Sequence, residues 1–309
     1  MRIGVVDIGT NSTRLLVCDV GPAGVTDIER RSEVTRLGEQ LEANGSLAER
    51  AVERVFAVLA DYRQAIERHA CQQAVAVLTS AARDAANGPW FTAEIERRFG
   101  LCARIISGDE EAQLTYLGAM SERSAAAGPA AVFDIGGGST EVIVGRGRQP
   151  AFHVSMPIGV VRLTERHIHS DPPPPDEVRR LADDARGAVA RLVPGSVREQ
   201  VITAVAVAGT ATSAAAMDLE LEPYDHDRVH GHRLERGAVE LLLARMAAIP
   251  EAQRRQVPGL HPDRAPTIVA GLAILLELLG ACGLESVEVS EHDILRGAAL
   301  IAAGEQAPT

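Results

Sequence analysis

Asp7 and Asp134 lie far apart in the chain, yet each sits in the same short pattern: Val5-Val6-Asp7-Ile8-Gly9-Thr10-Asn11-Ser12-Thr13 and Val132-Phe133-Asp134-Ile135-Gly136-Gly137-Gly138-Ser139-Thr140. In both, an apolar run reaches Asp, a glycine turn rich in hydroxyls follows, and a second apolar run comes next (15–20 and 142–144). That is the pattern of a β-hairpin with a carboxylate near its tip. Glycine lets the backbone approach a ligand closely, and turn N–H groups with Ser and Thr hydroxyls form a nest for phosphate oxygens. Gly9, Thr10, Asn11 and Ser12 in one turn, and Gly136, Gly137, Gly138 and Ser139 in the other, are therefore candidate phosphate contacts. Asp7 and Asp134 beside them are candidate ligands for Mg²⁺ or another divalent cation. A single copy would read as an ordinary turn, since Asp and Gly are common turn formers; the repetition favours phosphate. Two such hairpins, one per domain, would grip a phosphate chain from both sides.

Other groups could supply the chemistry. Asp109, Glu110 and Glu111 follow Ser107 at the start of an expected helix, where acidic residues suit the dipole and Ser107 with Glu110 resembles a capping box. A hydrolase acting on phosphate also needs a carboxylate to orient or deprotonate water, and these are placed for it. Arg83 lies just past a strand end among small residues; a solvated arginine is the commoner outcome there, but the placement suits a phosphate fork. Asp225-His226-Asp227 with His230-Gly231-His232 lacks zinc-site spacing and reads as a loop, and the remaining histidines read as structural or surface groups. His292-Asp293 reads as an isolated dipeptide.

All 31 basic residues are arginine, with no lysine in the 309-residue chain. That excludes a Walker-type lysine loop and any Schiff-base mechanism, and leaves phosphate to backbone N–H groups, arginine forks and metal. A net charge of −11 argues against nucleic acid as partner. At 46% hydrophobic residues the chain is long enough for two cores. No segment reads as a signal or membrane span, so a cytoplasmic protein is expected. The four scattered cysteines, two of them (Cys18 and Cys102) in expected core strands, read as reduced structural thiols.

The elements that must position these groups alternate strand and helix, which points to α/β architecture. After the first hairpin a polar connection leads to Asn44-Gly45-Ser46, read as a turn and helix cap, and a helix to about residue 69 on Val52, Val55, Leu59, Tyr62 and Ile66. A strand at 75–78 ends in the loop 79–84; a helix at 91–99, a strand at 102–106 and a helix to about 118 follow. The small, polar stretch 121–130 marks the boundary between an N-terminal domain (1–124) and a C-terminal domain (125–309), whose last helix, from about 294, is expected to pack back on the first. After the second hairpin come a proline-rich loop (172–175), a helix (176–192), a strand (201–207), and a third hydroxyl turn, 208–213, leading into a helix whose N-terminus is a candidate anion site. Helices at 235–248 and 267–279 and a strand at 286–289 complete the pattern, with 305–309 expected to fray.

Taken together, Asp7 to Ser12, residues 79–83, Ile106-Ser107-Gly108-Asp109-Glu110-Glu111-Ala112, residues 134–141, Gly209-Thr210-Ala211-Thr212 and Pro258-Gly259-Leu260 resemble the motifs of the Ppx/GppA family of exopolyphosphatases and guanosine pentaphosphate phosphatases. The motifs come in family order over nearly the whole chain. The resemblance implies a two-domain actin, sugar-kinase and heat-shock-chaperone-like α/β fold of duplicated ribonuclease H-like domains, with an interdomain active-site cleft. It implies Mg²⁺-dependent release of terminal phosphate from polyphosphate, with guanosine pentaphosphate as the alternative substrate, and a homodimer as the expected assembly. By the same resemblance Glu111 is the water-activating carboxylate and Asp7 and Asp134 are metal-associated. Arg83 and Thr210 join the phosphate contacts, and Glu141 occupies an acidic position that assists metal or water. Longer family members carry a further C-terminal helical module that this sequence lacks, so short polyphosphate is the expected substrate. A nucleotide-binding protein of the actin or sugar-kinase type is the alternative of another class, and loss of hydrolysis in Glu111→Gln would separate the two.

Overall fold

The computed structural model describes residues 1–22, 24–123 and 128–304. The chain forms two compact units, Met1–Arg123 with Asp293–Thr309, and Ser124–His292. The first unit runs β1 (Arg2–Ile8), β2 (Ser12–Gly21), β3 (Gly24–Val34), α1 (Leu41–Asn44), α2 (Glu49–Arg68), β4 (Gln73–Leu78), α3 (Ser80–Asp84), α4 (Gly88–Phe99), β5 (Cys102–Ile105) and α5 (Gly108–Met120). The second unit begins with β6 (Ala130–Ile135), β7 (Thr140–Arg146), β8 (Gln149–Met156), α6 (Val160–His167), α7 (Pro175–Leu192), α8 (Gly195–Arg198), β9 (Thr203–Val207) and α9 (Ala208–Asp218). It continues with α10 (His226–Val229), β10 (Arg233–Glu235), α11 (Arg236–Ala248), α12 (Glu251–Arg254), α13 (Ile268–Cys282) and β11 (Ser286–Val289), after which α14 (Ile294–Ala302) belongs to the first unit.

The first unit's sheet has the order β3-β2-β1-β4-β5, an antiparallel meander of three strands extended by two parallel ones. Strand residues alternate between faces, and both faces are covered. Val6, Ile8, Leu15 and Val17 pack with α2 and α4 residues such as Leu59 and Phe91 on one side. Ile3, Val5, Leu16 and Cys18 pack with Leu114 and Leu117 of α5 and Ile294, Leu295 and Ala298 of α14 on the other. The same parity puts Asp7 and Arg14, cross-strand partners in β1 and β2, on the face that α14 covers.

Helices α5 and α14 touch backbone to backbone. A Cβ on Gly297 would fall 1.9 Å from the Leu114 carbonyl oxygen, and one on Gly118 would fall 1.9 Å from that of Asp293. No other residue type fits this crossing. Apolar burial holds it: Ile294, Leu295 and Leu300 are all buried, each worth about 1.5–3 kcal/mol relative to exposure.

The second unit repeats the arrangement in the order β10-β11-β9-β6-β7-β8, again a meander extended by parallel strands, here closed by the short antiparallel β10. Its centre is α13, apolar except for Glu277 and buried over most of its length, as a helix inside a core must be. Among the described residues no helix is long and apolar enough to cross a membrane.

Several local expectations are corrected. The polar connection after the first hairpin is β3, an edge strand that carries Asp27, Glu29 and Glu33; those charges hid the strand from a hydrophobic pattern and protect the sheet edge. Asn44-Gly45-Ser46 does not cap α2. Gly45, at φ 67°, ends α1, and α2 begins after Ala48 with no side-chain cap. The loop 79–84 contains a helical turn, α3, so Arg83 projects from a helix. Between the second hairpin and the proline-rich loop stand β8 and α6, and His167 is in the last turn of α6, its Nε2 2.9 Å from Asp184. The segment read as a loop at 225–230 is α10, capped by the Asp225 side chain. Cys102 is exposed on β5 rather than in the core, whereas burial pushes the Cys18 thiol up to about 12. The expected frayed segment 305–309 lies outside the described residues, as do 124–127 of the polar stretch.

Because the α5–α14 crossing leaves no space for a methyl group, Gly297→Ala is expected to destabilise the protein by about 2–3 kcal/mol. Urea unfolding checks this; a midpoint equal to wild type would show that the helices separate at little cost.

Candidate active site

Both hairpins close in the same way. The Gly9 N–H donates to the Ser12 carbonyl at 3.0 Å, and the Gly136 N–H donates to the Ser139 carbonyl at 3.0 Å. The Asp two residues before each glycine faces a partner across the strands: Asp7 faces Arg14, and Asp134 faces Glu141. One tip thus pairs its carboxylate with a cation and the other with a second acid.

In the first unit, Arg14 donates from Nε and Nη2 to Oδ2 of Asp7, at 2.9 and 2.6 Å, and from Nη1 to Oδ2 of Asp293. All three side chains are largely buried. The other oxygen of Asp7, Oδ1, is buried without a hydrogen-bond partner among the described residues. Burial raises the Asp7 carboxyl above its ordinary value, opposed by the charge and hydrogen bonds of Arg14. Asp293 caps α14, its Oδ1 accepting the Leu295 N–H at 3.1 Å.

The first tip is braced from behind. The Asn11 carbonyl accepts the Thr35 and Arg36 N–H groups, the Thr10 carbonyl accepts that of Gly38, and the Thr10 and Ser80 hydroxyls are 2.7 Å apart. Three residues beyond Ser80, Arg83 donates from Nη1 to the Ile106 carbonyl at 2.9 Å and to Oε2 of Glu111 at 3.0 Å. Among the described residues, Nε and Nη2 of Arg83 have no protein acceptor. Glu111 is buried in the first turn of α5, which Ser107 caps by accepting the Glu110 N–H at 3.1 Å. The carboxylate of Glu110 turns away to Arg104. The structure thus brings together Arg83 with Glu111 and Thr10 with Ser80.

In the second unit, Asp134 and Glu141 are both buried, and the Ser155 hydroxyl on β8 donates to Oε1 of Glu141 at 2.6 Å. The glycine turn supports α6: the Gly136 carbonyl accepts the Val160 N–H, that of Gly137 accepts the Val161 and Arg162 N–H groups, and that of Gly138 accepts Arg162 Nε at 3.1 Å. Gly159 permits this approach, since a Cβ there would lie 2.4 Å from the Gly137 oxygen. Thr210 sits in the first turn of α9, its hydroxyl 3.5 Å from the Ile135 carbonyl beside the second tip. Ala208 before it adopts a left-handed φ of 64°, uncommon for a residue with a side chain and typical of strained functional turns.

Sequence reasoning missed four contributors. Arg14 stands opposite Asp7, a place that counting back from the turn would have given. Asp293 carried a readable signal, an N-cap residue before the apolar Ile294-Leu295. Ser155 had none, because β8 was not seen. Arg264 lies against the start of α9, where a Cβ on Gly209 would be 1.1 Å from its Nη1, and it follows the Pro258-Gly259-Leu260 motif closely.

The residues fit a hard divalent cation. Asp7 offers a buried carboxylate oxygen lacking a protein donor among the described residues, and Asp134 stands in register with a second acid, Glu141, so that hard oxygen ligands are available in both units.

A model of the Ppx/GppA phosphatase family matches residues 16–299. Exopolyphosphatase 2 of Mycobacterium tuberculosis is 38% identical over 320 residues, covering 98% of this chain and 99% of that protein. The crystal structure of the Aquifex aeolicus member of the Ppx/GppA family is 30% identical, with a TM-score of 0.82 and 99% of each chain covered. An exopolyphosphatase structure from Cytophaga hutchinsonii, 22% identical with a TM-score of 0.91, shows the same fold. The two units therefore form the two-domain actin-like α/β fold that the motifs implied.

A carboxyl whose folded pKa is raised binds its proton more tightly in the folded state, so its contribution to stability falls as pH rises past the ordinary value of 3.8. Ionised Asp7 therefore costs stability at neutral pH. Asp7→Asn is expected to raise the unfolding free energy of the metal-free protein at pH 7, a gain that shrinks as pH falls toward that value. Urea titrations at several pH values check it; a loss of stability at pH 7 would mean that the Arg14 pair outweighs burial.

Proposed function

The chain belongs to the Ppx/GppA phosphatase family, and on that premise we propose that it is an exopolyphosphatase. It releases terminal orthophosphate from inorganic polyphosphate by attack of a water that Glu111 activates. The observation that carries this reading is the Glu111–Arg83 pair at 3.0 Å in the first turn of α5. The guanidinium fixes the direction of a buried carboxylate, and the helix N-terminus favours its negative charge. Glu111 accepts a proton from water as the water oxygen bonds to the terminal phosphorus. The anhydride P–O bond breaks, and the shortened chain leaves as orthophosphate is released.

Negative charge spread over the phosphoryl oxygens is met by groups this lysine-free chain possesses. These are the N–H groups and hydroxyls of residues 9–12 and 136–139, Thr210, and the Nε and Nη2 donors of Arg83. Asp7 in the first unit, and Asp134 with Glu141 in the second, would each offer carboxylate oxygens to Mg²⁺, which when bound would neutralise phosphate charge. Polyphosphate is preferred to guanosine pentaphosphate because the relative at 38% identity is named an exopolyphosphatase.

Phosphate release from short polyphosphate, long polyphosphate, guanosine pentaphosphate and ATP, each with Mg²⁺, tests the assignment. Polyphosphate is expected to turn over fastest, and Glu111→Gln to reduce that rate by about 10²–10⁴-fold while substrate still binds. Absence of polyphosphate turnover, or a rate indifferent to Glu111, would overturn it.

A further inference from the structure

We propose that Asp293 is a positioning residue for the Asp7 metal site: it holds Arg14 on one oxygen of Asp7 and keeps the cluster negatively charged, so that the other oxygen is presented to a divalent cation. This rests on the metal role proposed above for Asp7.

The geometry of Arg14 carries the argument. Arginine and carboxylate pair most strongly as two forks, each oxygen taking one N–H. Arg14 instead directs both Nε and Nη2 to Oδ2 of Asp7, and its third nitrogen, Nη1, goes to Asp293. Asp7 Oδ1, which a fork would have covered, is buried with no protein donor among the described residues. A fork-to-fork pair would also have set a guanidinium in the path of a cation approaching that oxygen. With Asp293 the three side chains carry two negative charges and one positive, and the cluster attracts a divalent ion.

Asp293 is itself held firmly enough to do this. Its Oδ1 is engaged by the Leu295 N–H, leaving Oδ2 for Arg14. Its carbonyl oxygen lies against Gly118 of α5 and accepts the Arg296 and Gly297 N–H groups. Next along α14, Arg296 is buried and ties the helix to the Val25 carbonyl and, at 2.8 Å, to Glu122. The helix that carries Asp293 thus packs on the helix that carries Glu111, and one platform orients both the metal-side and the water-side carboxylates of the first unit.

The test separates charge from capping. Asparagine caps a helix about as well as aspartate, whereas alanine does not. Mn²⁺ binding to the metal-free full-length protein, followed by electron paramagnetic resonance, is measured for wild type, Asp7→Asn, Asp293→Asn and Asp293→Ala, with thermal unfolding alongside. Loss of one charge at this separation is expected to weaken Mn²⁺ binding about tenfold in both Asp293 variants, while Asp293→Ala alone also loses the cap and unfolds at a lower temperature than Asp293→Asn. Wild-type Mn²⁺ affinity in Asp293→Asn, or weakening confined to Asp293→Ala, would overturn the proposal and leave Asp293 a helix cap. Unchanged affinity in Asp7→Asn would instead remove the metal reading on which it rests.

Discussion

Leu114 and Gly297 meet across two helices with no space for a side chain between them, and that steric constraint orders the first unit. Helix α5 brings Glu111 from the sequence motif, and α14 brings Asp293 from near the end of the described chain. Because the contact is between backbones, neither helix can slide without a clash, and packed interiors do not deform gradually. The buried ion pairs follow from this contact rather than cause it. Apolar burial along α14 supplies the attraction, and the charged residues at its start and one turn on, Asp293 and Arg296, then find fixed partners.

The two hairpins show how one local solution is reused with different chemistry. Each closes by the same 3.0 Å bond, and each puts an Asp two residues before the turn glycine. The cross-strand partner differs: Arg14 compensates Asp7, while Glu141 adds to the charge of Asp134. The second turn also supports a helix, α6, through its carbonyl groups, whereas the first is braced by Thr35, Arg36 and Gly38 from the segment that follows β3. A duplicated backbone therefore hosts an arginine-balanced carboxylate in one unit and a carboxylate pair in the other. The duplication secures geometry; the side chains decide what each tip can bind.

Local strain marks the sites where the two hairpins and α9 present their groups. Asp7 keeps a carboxyl above its ordinary value with one oxygen unsatisfied among the described residues, and Ala208 holds a left-handed backbone at the entrance to α9. Such features persist where the surrounding structure over-determines them, and they cluster at sites of function. The absence of lysine sharpens the pattern, because every lysine-or-arginine contact to an anion must be made by arginine, a planar, directional fork.

The amino-acid sequence by itself determined what depends on neighbours in the chain. Both hairpins, the Ser107 cap that opens α5, the alternation of strand and helix, and the apolar α13 follow from turn chemistry and periodicity, which act over a few residues. Edge strand β3 escaped because a strand paired on one side and wet on the other shows charge where a pattern search wants apolar residues. The short helix α3 escaped because small residues carry no periodic signal. Only the tertiary structure decided which groups meet. Arg14 and Asp293 are 279 positions apart, and Arg83 and Glu111 are 28 apart on different helices. Contacts at such separation are set by how strands and helices pack, by the parity of β1 and β2 and by two glycines at a helix crossing, and no local pattern encodes that meeting.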